Sequence, residues 1–306
     1  MDRLDAMSVL QAVIEAGSLS EAGRRLGIPL STVSRKISDL ETHLGTQLLV
    51  RSTRSLGLTE AGKTYATATR RILEDIAEAE RAAAGEYAVV KGELVITAPI
   101  VFGRLHMVPV VTAFLAAYPE TDVRLVLADG LLHLVDDHID LALRIADLPD
   151  SSDVAVKVGT VRRVVCASPD YLERRGSPKD PGDLAAHDVV TFSALAPSDA
   201  WTFRKGAAAR PAASRVRLTV NTAEAAIDAA IAGVGLTRVL SYQIADAVRA
   251  GRLVTVLDDH APDPMPVSLV YSGQRMVPLK LRAFLDFATP RLRAGLRRDT
   301  ADRPTG

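Results

Sequence analysis

Between Leu30 and Leu44 the chain places short hydroxyl and cationic side chains at helical spacing. Ser31, Arg35, Ser38 and Thr42 share one face, Thr32, Ser34 and Lys36 stand among them in sequence, and that face carries no acid. Hydroxyls and a guanidinium without a carboxylate suit the reading of base edges and phosphate oxygens rather than proton transfer. A β-rich turn follows with Arg51 and Arg54, cations placed for phosphate or the minor groove. From residue 24 to 63 the positive residues are Arg24, Arg25, Arg35, Lys36, Arg51, Arg54 and Lys63. They face only Asp39, Glu41 and Glu60, a local excess in a chain with 37 basic and 37 acidic residues. A neutral chain has no field that draws it onto nucleic acid indiscriminately, so binding would rest on this patch and weaken with salt.

Catalytic constellations find little support. The six histidines show no metal spacing, and His133 and His138 are five apart, off the pitch of one helix face. No serine sits in a G-x-S-x-G context. Asp136, Asp137 and Asp140 read as a solvated edge, and Gly233-Val-Gly235 is too short for a dinucleotide fingerprint. Cys166 is the only cysteine, which excludes an internal disulfide or a thiolate zinc cluster. In the apolar run Arg-Val-Val-Cys-Ala-Ser it reads as an inert strand residue, since a redox sensor needs an exposed, electropositive thiol. No catalytic residue, metal or cofactor is therefore expected.

The elements that must position the basic face are legible on either side of it. Val33, Ile37, Leu40 and Leu44 form an apolar stripe at steps of four, three and four. Upstream, Ser18 and Glu21 have capping-box spacing, a helix runs from Leu19 to Leu26, and Gly27 stops it. Ile28-Pro29 is then a turn only long enough for two helices meeting steeply, with small Ala22 and Gly23 at the crossing. Helix-turn-helix is the DNA-binding reading; two short amphipathic helices also occur in any helical domain. A first helix, Leu4 to Ala16, would hold the pair. From Thr59 to about Tyr87 a long helix carries Tyr65, Thr69, Ile72, Ile76, Ala79 and Ala83 in a coiled-coil seam, either a dimer contact or a face packed on its own domain.

Four blocks in this order, Ala-Gly-Ser-Leu-Ser-Glu-Ala (16–22), Thr-Val-Ser-Arg-Lys-Ile-Ser-Asp-Leu-Glu (32–41), Leu-Gly-Thr-Gln-Leu-Leu-Val-Arg (44–51) and Leu-Thr-Glu-Ala-Gly (58–62), resemble the winged helix-turn-helix of LysR-type transcriptional regulators. The resemblance implies a pseudo-palindromic DNA operator read by Ser31, Thr32, Ser34, Arg35 and Lys36, with Arg51 and Arg54 on the wing. It also implies pairing through Tyr65, Ile72, Ile76, Ala79 and Ala83 into dimers or tetramers, a small-molecule effector, and RNA polymerase as a candidate partner. Leu30 and Leu49 stand where many members carry Gln and Phe. Leu30 can read a base only by apolar contact, for instance with a thymine methyl.

Beyond Val90 strands alternate with helices: Glu93 to Pro99, Thr121 to Ala128 and Asp140 to Arg144 as strands, Arg104 to Tyr118 and Leu131 to His138 as helices. That alternation indicates an α/β unit with a mostly parallel sheet. The long extended run Val154 to Ser168 reads as a crossover into a second lobe, and Val267 to Ser272 as the return. Strands near Val189 to Ser193, Arg215 to Val220 and Leu253 to Leu257 and helices Thr222 to Ala232 and Ser241 to Ala250 fill that lobe, with Pro278 to Leu296 closing the first. The Ala-rich 207–213 reads as a surface loop. Two such lobes resemble the periplasmic-binding-protein type of effector domain of the same regulators. The fold expected is thus α/β with an all-α N-terminal part: a winged helix-turn-helix (1–62), a linker helix (63–90), an effector domain (91–298) and a disordered tail (299–306). Lobe I would span about 91–162 and 267–298, and lobe II about 163–266.

Ligands in open α/β sheets gather at the carboxyl ends of strands. Thr97, Pro99 and Phe102, then Arg144, then Thr222 mark three such edges, and Phe192 adds a wall. The resemblance makes these the effector contacts. Arg144 suits a carboxylate, or else pairs with Asp140 or Asp147; Thr97 and Pro99 could equally cap and turn the chain.

At 306 residues, 48% hydrophobic and 24% charged, the chain is an ordinary globular protein. Its apolar runs are broken before the length of a membrane span, and Met-Asp-Arg-Leu-Asp lacks a signal-peptide core, so a cytoplasmic location is expected. Two rivals to a regulator remain: an enzyme on the two-lobed fold with a regulatory N-terminal part, and a ligand-independent architectural DNA-binding protein.

Overall fold

The computed structural model describes residues 2–51, 56–83, 89–130, 132–134, 137–192, 201–205, 208–212, 215–273 and 277–301. They divide into two compact units, Met1–Val89 and Val90–Gly306.

The first unit is built on helices α1 (Arg3–Ala16), α2 (Leu19–Leu26) and α3 (Leu30–Leu44), strands β1 (Leu49–Arg51) and β2 (Leu56–Leu58), and helix α4 (Glu60–Ala83). Ser18 Oγ accepts from Glu21 N at 3.1 Å to start α2, and Gly27 ends it at φ +67°, so Ile28 N can reach back to Gly23 O at 3.0 Å. A Cβ on Gly23 would lie 2.9 Å from Ile28 O, which is why the helices cross there. Val33, Ile37 and Leu40 are buried with Val9, Leu10 and Val13, whereas Leu44, expected in the same stripe, is 36% exposed because it is the last helical residue before Gly45 turns the chain. The wing pairs antiparallel, Leu49 with Leu58. Glu41 anchors it by accepting from Leu48 N and Leu49 N at 2.8 and 3.1 Å.

The second unit holds two five-stranded sheets. Lobe I orders β4 (Thr121–Leu127), β3 (Gly92–Ala98), β5 (Leu141–Ile145), β14 (Met265–Ser272) and β6 (Asp153–Val161). Lobe II orders β11 (Arg215–Val220), β8 (Asp188–Phe192), β12 (Leu236–Leu240), β7 (Arg163–Ala167) and β13 (Val254–Val256). Each has two parallel and two antiparallel pairings, so the sheets are mixed rather than mostly parallel. The cause is the double passage between lobes: the chain crosses at Arg162 from β6 into β7 and returns through Pro262 into β14, and both passages reverse strand direction.

The continuous helix α5 (Ile100–Ala117) packs Phe102, Met107, Val110, Val111 and Phe114 on the lobe I sheet, with Phe114 edge-on to Phe284 of the closing helix at 5.0 Å. By length and composition α5 is the one described helix apolar enough to cross a membrane, although Arg104 and Pro109 interrupt its apolar run. Its apolar side chains instead supply the lobe I core. A π-turn runs from Gly103 to Met107, and a Cβ on Gly103 would lie 2.1 Å from a Leu127 methyl. Other differences are local. Around Leu131 to His138 the described residues form turns, not a helix, with His138 at φ +55°. The Ala-rich stretch pairs as a hairpin, β9 (Trp201–Lys205) with β10 (Ala208–Ala212). Ser241 to Ala250 breaks into a 3₁₀ turn (Ser241–Gln243) and a short helix α8 (Ala245–Arg249), after α6 (Pro169–Arg175) and α7 (Ala223–Ile231). The last helix, α9 (Leu279–Ala301), continues five residues past Leu296, into the expected tail.

A Cβ at Gly62 would lie 2.0 Å from Leu48 O, while nothing lies within 4 Å of one at Gly57 in the same wing. Gly62→Ala should therefore destabilise the first unit by about 2 kcal/mol or more, the scale of overpacking, and Gly57→Ala by far less. Urea unfolding followed by circular dichroism separates them; equal midpoints would mean the α4 start can move off the wing freely.

Candidate DNA-reading face and effector cleft

On α3 the alternation of burial turns one face outward. Ser31, Arg35, Ser38 and Thr42 are exposed, Thr32 and Ser34 half-buried, and Leu30 is 52% exposed at the helix start behind Pro29. Lys36 does not join that face: its ammonium pairs with Asp5 of α1. Arg24 and Arg25 pair with Glu21 at 2.6 and 3.7 Å, and Lys63 with Glu60 at 2.7 Å. Among the described residues of α2 and α3, Arg35 is the cation outside these pairs. Arg51 closes β1 through its backbone; its side chain, and all of Arg54, lie outside the described residues.

The expected seam on α4 divides in two. Thr69 is fully buried and accepts from Gln11 Nε2 of α1 at 2.7 Å, and Ala66 O accepts from the same nitrogen at 2.6 Å. Tyr65 packs on the core of its own domain, where burial raises its pKa. Ile72 is 41% exposed, Ile76 half-buried and Ala79 exposed; the Ala83 side chain lies outside the described residues.

In the second unit a cleft of about 550 Å³ opens between the lobes. Thr97, Pro99, Arg144 and Phe192 line it, as the sequence suggested. Phe102 does not: it is fully buried, edge-on to Tyr242 at 5.3 Å, and joins the lobes beneath the cleft. Thr222 caps α7 by accepting from Ala225 N at 3.3 Å, and its neighbour Ala223 is the lining residue. Thr97 donates to Val126 O at 2.9 Å. Arg144 pairs with neither expected aspartate; its guanidinium donates to Leu132 O, and burial lowers its pKa while Asp153 raises it.

Sequence reasoning missed Arg163, Trp201, Arg238, Tyr242 and Asp129, all lining residues. Arg238 lies 5.6 Å from the Trp201 ring centroid, a cation–π contact, and burial, with Arg163 adding repulsion, brings its pKa down to about 10. The one available signal was an arginine inside the apolar strand Leu-Thr-Arg-Val-Leu (236–240).

Cys166 is fully buried in β7 between the paired β12 and β13, and burial pushes its thiol up to about 12. Among the described residues no three His, Cys, Asp or Glu gather as a metal site.

Residues 4–63 match the family model for bacterial regulatory helix-turn-helix proteins of the lysR family, and residues 88–293 the LysR substrate binding domain. An HTH-type transcriptional regulator of Xanthomonas campestris is 36% identical over 284 residues, covering 92% of this chain and 83% of that protein. The probable HTH-type transcriptional regulator LtrA of Klebsiella pneumoniae is 32% identical, covering 96% of this chain and 97% of its own length. Among solved structures, CrgA of Neisseria meningitidis, a LysR-type transcriptional regulator, is similar at a TM-score of 0.60 and 30% identity, covering 94% of this chain and 98% of that one.

The raised Cys166 pKa sets a stability trend. Between about pH 9 and 12 the unfolded chain gives up this proton and the folded chain keeps it, so the thiol costs stability as pH climbs through that window. At pH 8 a thiol-specific disulfide reagent should label Cys166 only after denaturation; rapid labelling of the native protein would show β7 to be open.

Proposed function

The chain belongs to the LysR family of bacterial transcriptional regulators, and we propose that it couples an effector held between the lobes to the reading of a pseudo-palindromic operator. Its N-terminal helix-turn-helix binds DNA and its C-terminal domain binds a small molecule, as members of the family do. One observation carries the DNA half of the reading: a helix whose buried stripe of Val33, Ile37 and Leu40 leaves Ser31 and Arg35 exposed on the other side. Arg35 and Ser31 read bases in the major groove; Thr32 and Ser34 support them from the flanks, and Lys36 orients the helix through Asp5. Arg51 and Arg54 hold phosphate or the minor groove.

Two copies pair through Ile72, Ile76 and Ala79, with Ala83 continuing the line, which sets two recognition helices about one DNA turn apart. Thr97, Pro99, Phe192 and Arg144 touch the effector, and closure of the lobes upon it changes the geometry of the pair. The named relatives are transcriptional regulators, which supports a regulator over an enzyme. Contact with RNA polymerase and a place in the cytoplasm complete the proposal, because a regulator of this kind acts where promoters are.

Arg35→Ala should weaken specific operator binding by roughly 1–3 kcal/mol and relax sequence preference. Lys36→Ala should act mainly through first-unit stability. Fluorescence anisotropy on operator and scrambled duplexes reads both; wild-type affinity for Arg35→Ala would take α3 out of the groove. Ile72→Asp should turn the oligomer into monomers by light scattering, and an unchanged mass would move the pairing surface elsewhere.

A further inference from the structure

The two walls of the cleft differ in charge. Lobe I contributes Asp129 and Asp147 with Arg144, and Arg144 already donates to Leu132 O. Asp129 Oδ1 accepts from Ile100 N at 3.0 Å, so a carboxylate of the chain itself sits on the first turn of α5. An anionic ligand arriving there meets a fixed negative charge where a helix start would otherwise have welcomed it. Lobe II contributes Arg163 and Arg238 and, among the described lining residues, no acid.

The strand register explains why these two arginines act together. In the antiparallel pair of β7 and β12, Arg238 is opposite Val165 and Leu240 opposite Arg163. Residues 163, 165, 238 and 240 therefore share a face, and the two guanidinium groups project from the side that carries Trp201. An anion that reaches both guanidinium groups is attracted by each, and the burial of Arg238 leaves that attraction less screened by water. Beside them, Met265 and the Trp201 ring offer an apolar bed, with Phe192 at the end of β8.

We propose that the effector is an organic anion whose acid group is held by Arg163 and Arg238 of lobe II, its apolar body on Trp201, with a hydrogen-bond-donating end toward Asp129 of lobe I. This rests on the reading of the cleft as the effector site, and it moves the anion from Arg144 to the opposite wall. Arg144 remains a flank contact for whatever the cleft holds.

Trp201 is the chain's only tryptophan, so its fluorescence in the full-length protein reports this cleft. The probes are 3-phenylpropanoate, 3-phenylpropanamide and 3-phenylpropylamine, alike in body and different in end charge. The anion should bind more tightly than the amide or the amine by about tenfold or more, the scale of one charge-assisted hydrogen bond. Arg163→Gln, an exposed position that leaves the core untouched, should bring that preference to about twofold, and Arg238→Lys should weaken it less. Arg144→Gln should lower the affinity of all three probes by a similar factor and keep the preference. If Arg144→Gln erases the preference and Arg163→Gln does not, the anion belongs to lobe I and the proposal falls. Equal binding of the three probes overturns the anion class while the cleft reading stands. Silence to all three, with the fluorescence of the native protein otherwise intact, overturns the cleft reading with it.

Discussion

The second unit depends on the pleat of two antiparallel strands, β7 and β12. Side chains alternate across them, so Val164, Cys166 and Val239 enter one apolar cluster with Ile227, Ala230 and Leu253, while Val165, Ala167 and Leu236 enter another with Trp201 and Tyr171. Both strands are buried on two faces, as the near-continuous apolar run Val-Val-Cys-Ala requires. Their ends point into the cleft, where the same alternation delivers Arg163 and Arg238 to one side. A one-residue slip would exchange the two clusters and carry both cations away from the ligand space. Core packing and site electrostatics are thus held by a single register.

The first unit meets a different constraint, close approach. Gly23 allows the α2–α3 crossing and Gly62 allows α4 to start against the wing, each where a side chain would meet a carbonyl oxygen. With backbones that near, Val33, Ile37 and Leu40 reach the core from one side of α3, and its outward face is left to Ser31 and Arg35. Gln11 then ties α1 to α4 through Ala66 O and Thr69. The reading helix and the long helix that follows it are held by the same α1, since Asp5 of that helix takes Lys36.

Local signals made the first unit legible in the sequence. Ser18, Gly27 and Gly45 bracket helices whose apolar residues recur at helical spacing, and α2 and α3 begin and end where those signals put them. What stayed hidden was long-range. Nothing near Lys36 announces Asp5, 31 residues upstream, and nothing near Thr69 announces Gln11. In the second unit the two-lobe plan was legible from the over-long extended run, because one strand cannot use fifteen residues. Strand β12 was not, since Leu-Thr-Arg-Val-Leu follows a Gly turn and its arginine argued against burial. The cleft shared that fate: residues from β3, β5, β7, β8 and β12 meet there, and strand-end reasoning found Thr97, Pro99 and Arg144 of lobe I but only Phe192 of lobe II.

The double crossover also orders events in time. Lobe II is one continuous segment, but lobe I waits for β14, which lies between β5 and β6, and for α9, which supplies Phe284, Ala288, Leu292 and Leu296 to its core. On the ribosome the helix-turn-helix emerges first and lobe II can close next, since domains fold as they leave the exit tunnel. Until Met265–Ser272 has left it, β6 has no neighbour on its inner side. A nascent chain therefore gains its DNA-reading surface long before its sensor, and a message truncated near its end would yield a protein that grips DNA without an ear for its signal.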